Sequence, residues 1–120
     1  MKRKKNNLVQ RTLFGDIIEE GKVDLVLQGH EHAYGRMTNH KEDSTATTPV
    51  FTISHCSPKN YKVKNAEAFD KVDLKSKCYQ LIRLTKDTLQ MTSYNAETGE
   101  PFDKVSIVKT DNQVKILENN

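Results

Sequence analysis

Tryptophan is absent from this chain of 120 residues, and phenylalanine and tyrosine supply only four residues each. With hydrophobic residues at 35% and a mean hydropathy of −0.74, any core has to be built mainly from aliphatic side chains. That is thin for a self-sufficient core but richer than a disordered composition. One-sided charge is also lacking. Nineteen Lys and Arg against sixteen Asp and Glu leave +3, and much of that sits in Lys2-Arg3-Lys4-Lys5. Such a short basic stretch reads as a solvated tail over residues 1–6. No aromatic residue interleaves with it, so no nucleic-acid partner is expected. No apolar run approaches the ~20 residues of a membrane span, and Asn6-Asn7-Leu8-Val9-Gln10-Arg11 do not make the apolar segment of an export signal. No membrane partner is expected, and localisation is left open. Cys56 and Cys78 are the only cysteines. Their spacing allows a disulfide, two free thiols or half a zinc site. Free, partly buried thiols are the default, because free cysteine behaves as a small hydrophobe.

What the chain does have is Val23-Asp24-Leu25-Val26-Leu27-Gln28-Gly29-His30-Glu31-His32. A short, nearly continuous apolar run reads as a buried parallel strand. In open sheets of that kind ligands gather outside the carboxyl ends of the strands. Gly29 gives the backbone freedom for a tight exit and close approach. His30 and His32, two apart, can serve the same ion or two neighbouring ions, and neutral imidazole is among the commonest metal ligands. Three of the four histidines (His30, His32 and His40) fall within eleven residues. A G-H-x-H at a strand end arises by accident in on the order of one chain in a few hundred of this length, which favours function over chance.

The remaining elements follow from periodicity. Asn7 to Glu20 reads as an amphipathic helix with Val9, Leu13 and Ile17 on its apolar stripe, Leu8, Phe14 and Ile18 widening it, a cap at Asn6 or Asn7, and Gly21 as its end. A helix, a short turn and a parallel strand make half of a βαβ crossover. Thr38 to Thr48, ending at Pro49, reads as a surface loop, and Val50 to Ile53 as a strand. His55 to Lys77 reads as a polar excursion with a helical turn near Ala66 to Phe69. Tyr79 to Leu84 and Leu89 to Tyr94 are two strands joined at Thr85 to Thr88. Asn95 to Pro101 reads as a turn, Val105 to Ile107 as a third strand, and residues 110–120 as a weakly ordered tail. The expected class is α/β, as an α+β fragment: one N-terminal helix, a buried strand and C-terminal antiparallel strands.

Gly29-His30-Glu31-His32-Ala33-Tyr34-Gly35-Arg36 resembles the last metal-binding motif of the calcineurin-like metallophosphoesterases, most of all the purple acid phosphatase branch, where it runs G-H-x-H-x-Y-E-R. The likeness extends over roughly residues 8–36 and 78–109, with Pro49 to Ser54 between. It implies that residues 1–120 are the C-terminal part of a metallophosphoesterase domain, a β-sandwich flanked by helices. His30 would then bind one metal of a dinuclear centre and His32 the other. Tyr34 and Arg36 would support them or lie towards the substrate, with Gly29 allowing close backbone approach. Gly35 stands where the branch usually has glutamate.

The function so implied is hydrolysis of a phosphate monoester or diester. It would use two metal ions (iron, zinc or manganese), with a phosphate ester and the missing N-terminal catalytic half as partners and a parent protein that could be exported. The family's earlier motifs do not occur here, so no residue of this chain is expected to be catalytic. The 120 residues alone should be inactive, metal-free and prone to self-association. Two other readings are a small zinc module built from His30, His32, Cys56 and Cys78, and a non-catalytic β-rich interaction module.

Overall fold

The computed structural model describes residues 13–40, 45–59, 66–111 and 113–118. The basic tail, the expected cap at Asn6 or Asn7, Leu8 and Val9 lie outside these. Helix α1 covers 13–20 within the described part. Its end is a Schellman motif, in which Lys22 N–H bonds the Glu19 carbonyl at 3.2 Å and Val23 N–H bonds the Ile18 carbonyl at 3.2 Å. The left-handed residue is Lys22 (φ 51°), not Gly21. Gly21 is needed for another reason: a Cβ there would sit 2.9 Å from the Ile17 carbonyl oxygen. The apolar stripe is present but uncovered, with Leu13, Phe14 and Ile17 all more than half exposed.

Among the described residues eight strands follow, β1 (Leu25–Gln28), β2 (Tyr34–His40), β3 (Ala46–Ile53), β4 (Lys71–Asp73), β5 (Cys78–Leu84), β6 (Thr88–Asn95), β7 (Pro101–Thr110) and β8 (Gln113–Glu118). A 3₁₀ turn at Ala66–Ala68 precedes β4, where the helical turn was expected. The strands form two sheets of four, ordered β1-β3-β2-β4 and β5-β6-β7-β8. Among the described residues 55% lie in strand and one α-helix is present, so the arrangement is mostly β and consistent with the α+β part of the expectation.

The sheets pack face to face. Val50 from the first meets Met91, Val105 and Ile107 from the second, and Leu25, Ile82, Leu89, Val114 and Ile116 surround them. Alternation along each strand sends these residues inward, and each fully buried aliphatic contributes roughly 1.5–3 kcal/mol. Lys109 Nζ of β7 reaches Asp24 Oδ1, just before β1, at 2.7 Å.

Three other expectations are corrected. β1 is indeed parallel, paired with β3 from Leu25↔Val50 to Gln28↔Ile53. It is an edge strand rather than a buried one, and Leu27 is 56% exposed. The surface loop over Thr38 to Thr48 is largely strand, because β2 runs to His40 and β3 starts at Ala46; residues 41–44 lie outside the described part. Pro49 fits inside β3 because the ladder is broken there. Thr38 pairs with Val50 and Asn39 with Thr47, leaving Thr48 and Pro49 in a bulge where no ladder donor is required. The tail after Thr110 is strand β8, returned by a tight turn in which Asp111 takes φ 39° and Thr110 pairs with Gln113. Its inward Val114 and Ile116 order it by joining the core.

Candidate metal centre

Parallel pairing brings the carboxyl ends of β1 and β3 side by side, and Ser54 N–H bonds the Gln28 carbonyl at 3.1 Å just beyond the last ladder pair. The next residues of each strand are therefore neighbours: Gly29 and His30 on one side, Ser54 and His55 on the other. The chain reverses at His30 itself, which takes φ 79°, while Gly29 keeps an ordinary backbone with open space where a Cβ would stand. The freedom expected of Gly29 is thus used one residue later, by an exposed histidine held in the left-handed region. Such a residue costs of order 1 kcal/mol or more and is typical of sites where geometry serves function.

His32 is half-buried, and its ring lies parallel to that of His55, with centroids 5.5 Å apart and an interplanar angle of 2°. His55 was not singled out by the sequence. Both its ring nitrogens are buried, and neither makes a well-formed hydrogen bond to a described residue. Burial, and then neighbouring His32, holds its basicity below the ordinary histidine value, against the opposing pull of Asp73 and of the Ser76 backbone. Asp73 is itself a stronger acid than usual. Burial alone would weaken it, but the backbone N–H groups of Lys75 and Ser76, each 2.9 Å from Oδ1, stabilise its charge. His40 lies on β2 at the far end from this edge, paired with Ala46.

The donor chemistry at this edge suits a metal, with the imidazoles of His30, His32 and His55 carried on neighbouring strand ends. It is not a complete cradle. Among the described residues no three His, Cys, Asp or Glu side chains come together as a metal-holding group. The four-residue zinc set therefore does not assemble. Cys56 is an exposed free thiol and Cys78 a buried one, with burial, helped by Asp73, pushing the Cys78 thiol up to about 11. Both thiols border a cleft of about 340 Å³ between the sheets with Leu27, Gln28, His55 and Tyr79.

Tyr34 and Arg36 turn inward from this edge. Arg36 forks onto Asp103 of β7, with Nε to Oδ2 at 2.7 Å and Nη2 to Oδ1 at 3.1 Å, and its Nη1 reaches Glu118 of β8 at 3.3 Å. Tyr34 donates to the same Asp103 Oδ2 at 2.5 Å and accepts from Ser93 Oγ at 3.0 Å. Tyr34, Arg36, Ser93 and Asp103 are all at most 2% exposed. Burial and the bond to Asp103 raise the Tyr34 phenol well above its usual range. Burial works against the Arg36 charge, yet Asp103 holds the guanidinium firmly protonated. A bulge between Ser93 and Tyr94 interrupts the β6–β7 ladder beside Phe102, which meets the Tyr34 ring edge-on at 4.8 Å. Tyr34 and Arg36, expected to support the metals or to lie towards the substrate, form a polar strut binding one sheet to the other.

Gly35 has a physical reason to depart from glutamate. A Cβ there would stand 2.8 Å from two carbons of the Phe69 ring, which lies against the backbone. Asp70 fastens that segment by accepting from Thr38 N–H at 2.7 Å and Thr38 Oγ1 at 2.8 Å.

No protein-family model, curated protein or solved structure matches this chain. The likeness to the metallophosphoesterases therefore rests on the motif residues and their setting.

Proposed function

We propose that this chain is the C-terminal part of a metal-dependent phosphohydrolase and supplies the imidazoles His30 and His32 to its dinuclear centre. The observation that carries the reading is the G-H-x-H at the carboxyl end of β1, parallel to β3, with His30 in the left-handed region. Metal ions held there would supply Lewis-acid polarisation of a phosphate ester and acidify a bound water. This chain's contribution is positional: β1 fixes where the turn starts, His30 projects from it, and the strut from Tyr34 and Arg36 to Asp103 anchors the strand that leaves it. The remaining ligands and the acid–base groups would come from upstream sequence.

Supplied alone, the chain should show no hydrolysis of an aryl phosphate above background. Joined to the upstream part of its reading frame, it should gain metal-dependent hydrolysis that His30→Ala and His32→Ala each abolish. Hydrolysis untouched by both substitutions would sink the proposal. The interaction-module reading finds support in β1 standing at the edge of its sheet among the described strands and in exposed Leu13, Phe14, Ile17 and Leu27. It predicts self-association that Leu13→Ser with Ile17→Ser removes, and no hydrolysis in any context.

A further inference from the structure

We propose that the outer face of the sheet β5-β6-β7-β8 carries a binding cleft for a small phosphate monoester, held between Arg83 and Lys104. This cleft shares no lining residue with the one beside His55, and it needs no metal. Register and alternation decide what the outer face displays. Ile82, Met91, Val105 and Ile116 point into the core, so residues one step along each strand point outward. Cross-strand pairing then sets Arg83 beside Gln90, Leu81 beside Thr92, and Thr92 beside Lys104. The strands β5 to β8 contain two acids, Asp103 and Glu118, and both are drawn to Arg36. The charges left facing outward are Arg83, Lys104 and Lys115. All three are positive, and none has an ion pair among the described residues.

The cleft encloses about 220 Å³. Its floor is polar: Thr92 is 9% exposed, and Gln90 Nε2 donates to Ser106 Oγ at 3.3 Å, which orients the amide. Leu81, Tyr94 and Pro101 give it an apolar wall, and Tyr94 is stiffened by stacking on Tyr79 at 5.2 Å and 12°. Arg83 on β5 and Lys104 on β7 flank the β6 floor, two strand spacings or ~10 Å apart. Their long apolar stems can lie along the cleft while the charged heads meet over it. Guanidinium and ammonium only donate, and the Thr92 hydroxyl can donate as well. Such a set suits an anion whose oxygens only accept. A phosphate monoester is close to a dianion at neutral pH and offers acceptors to both cations and the hydroxyl at once. A carboxylate brings a single charge and fewer acceptors. The apolar wall takes the organic group of the ester, which must be small, because drug-sized ligands need pockets of roughly 300–1,000 Å³.

The test is a titration of the 120-residue chain with phenyl phosphate at constant ionic strength, followed by NMR of the backbone amides, for wild type, Arg83→Gln, Lys104→Gln and Lys115→Gln. Inorganic phosphate and benzoate are the comparison ligands, and a thermal melt of each variant checks that it folds. Wild type should bind phenyl phosphate more tightly than either comparison ligand, with the largest shifts on β6 and β7 around Thr92 and Lys104. Arg83→Gln and Lys104→Gln should each weaken it about tenfold, the share of a hydrogen bond to a charged group. Lys115→Gln removes the same charge from the same face outside the cleft and should stay within about threefold, because salt screens a charge that makes no contact. Equal weakening in all three variants overturns the inference, since a diffuse positive face would then account for binding. Benzoate bound as tightly as phenyl phosphate overturns the ligand class, and inorganic phosphate bound as tightly overturns the role of the apolar wall. Wild type that binds no phenyl phosphate overturns the cleft outright, with the metal reading untouched.

Discussion

The sheet β5-β6-β7-β8 and the sheet β1-β3-β2-β4 are of equal strand number and opposite character. In the first, every strand pairs with its neighbour in sequence, and short turns set the registers. Thr88 N–H bonds Thr85 Oγ1 at one turn, while Asn95 Oδ1 takes the Glu97 and Thr98 N–H groups at the next. In the second, β1 pairs with a strand beyond β2, one pair is parallel, a proline sits in the bulge, and α1 offers an uncovered stripe. The regular sheet is built from local contacts, which are cheap in chain entropy. The irregular one spends order on placing two loops, the one that follows β1 and the one that follows β3, side by side. Local rules are kept where the protein only has to fold and broken where the candidate site lies.

The strongest test of that contrast is the strut joining the sheets. Asp103→Ala leaves the Arg36 guanidinium and the Tyr34 hydroxyl without their buried partner, and removal of one member of a buried pair costs about 3–5 kcal/mol. Urea unfolding should show that loss, and hydrogen exchange should show β1 to β4 opening before β5 to β8. The exposed Lys77–Glu97 pair provides the control; Glu97→Ala should change stability by less than about 1 kcal/mol. A loss from Asp103→Ala no larger than the control would remove the strut from the account.

Next in size is the motif's own departure. Gly35→Glu should cost about 1–3 kcal/mol, because its Cβ meets the Phe69 ring and a packed site pays that much for extra atoms. Phe69→Ala made in the same chain should recover part of that cost in a double-mutant cycle. If Gly35→Glu is neutral in thermal melts, the explanation by close packing is wrong.

Much of the regular sheet was legible in sequence because its signals are local. Tyr79 to Leu84 and Leu89 to Tyr94 are dense in strand-forming residues and stand as β5 and β6, with the connection shortened because Thr88 already belongs to β6. β8 was missed although Val114 and Ile116 alternate after Asp111-Asn112, a usable turn signal. The candidate site was legible only in part. Two histidines at a strand end announced themselves, whereas His55 and the Asp103 partner of Arg36 are brought in by pairings that span the chain. Composition could not show that β1 would stand at an edge, since an apolar run reads the same whether or not another strand covers it.

Backbone strain at His30 gives a smaller effect of opposite sign. His30→Gly removes an exposed side chain and lets a residue without Cβ take φ 79°, so the fold should gain about 0.5–1 kcal/mol. A melting temperature that drops with His30→Gly would mean that the imidazole holds the turn together rather than being held by it.

The smallest expected effect is a pH dependence confined to the histidine edge. His55 has a folded-state pKa below that of the unfolded chain, first because of burial and then because of His32. Between the lowered folded value and the ordinary value near 6.5, the unfolded chain binds the proton and the folded one does not. Stability then rises with pH through that window, is fully present above the unfolded value, and is lost as pH falls towards the folded one. Asp73 is also lowered, so its contribution disappears only below the ordinary carboxylate range and does not overlap this window. His55→Phe keeps a ring beside His32 but removes the titrating group. Its stability, measured by urea midpoint between pH 5 and 8, should lose the His55 share of the rise seen in wild type. A wild-type stability that is flat across that range, or a slope unchanged by His55→Phe, would mean that His55 titrates like a free histidine and that the edge is not the desolvated place its buried ring nitrogens describe.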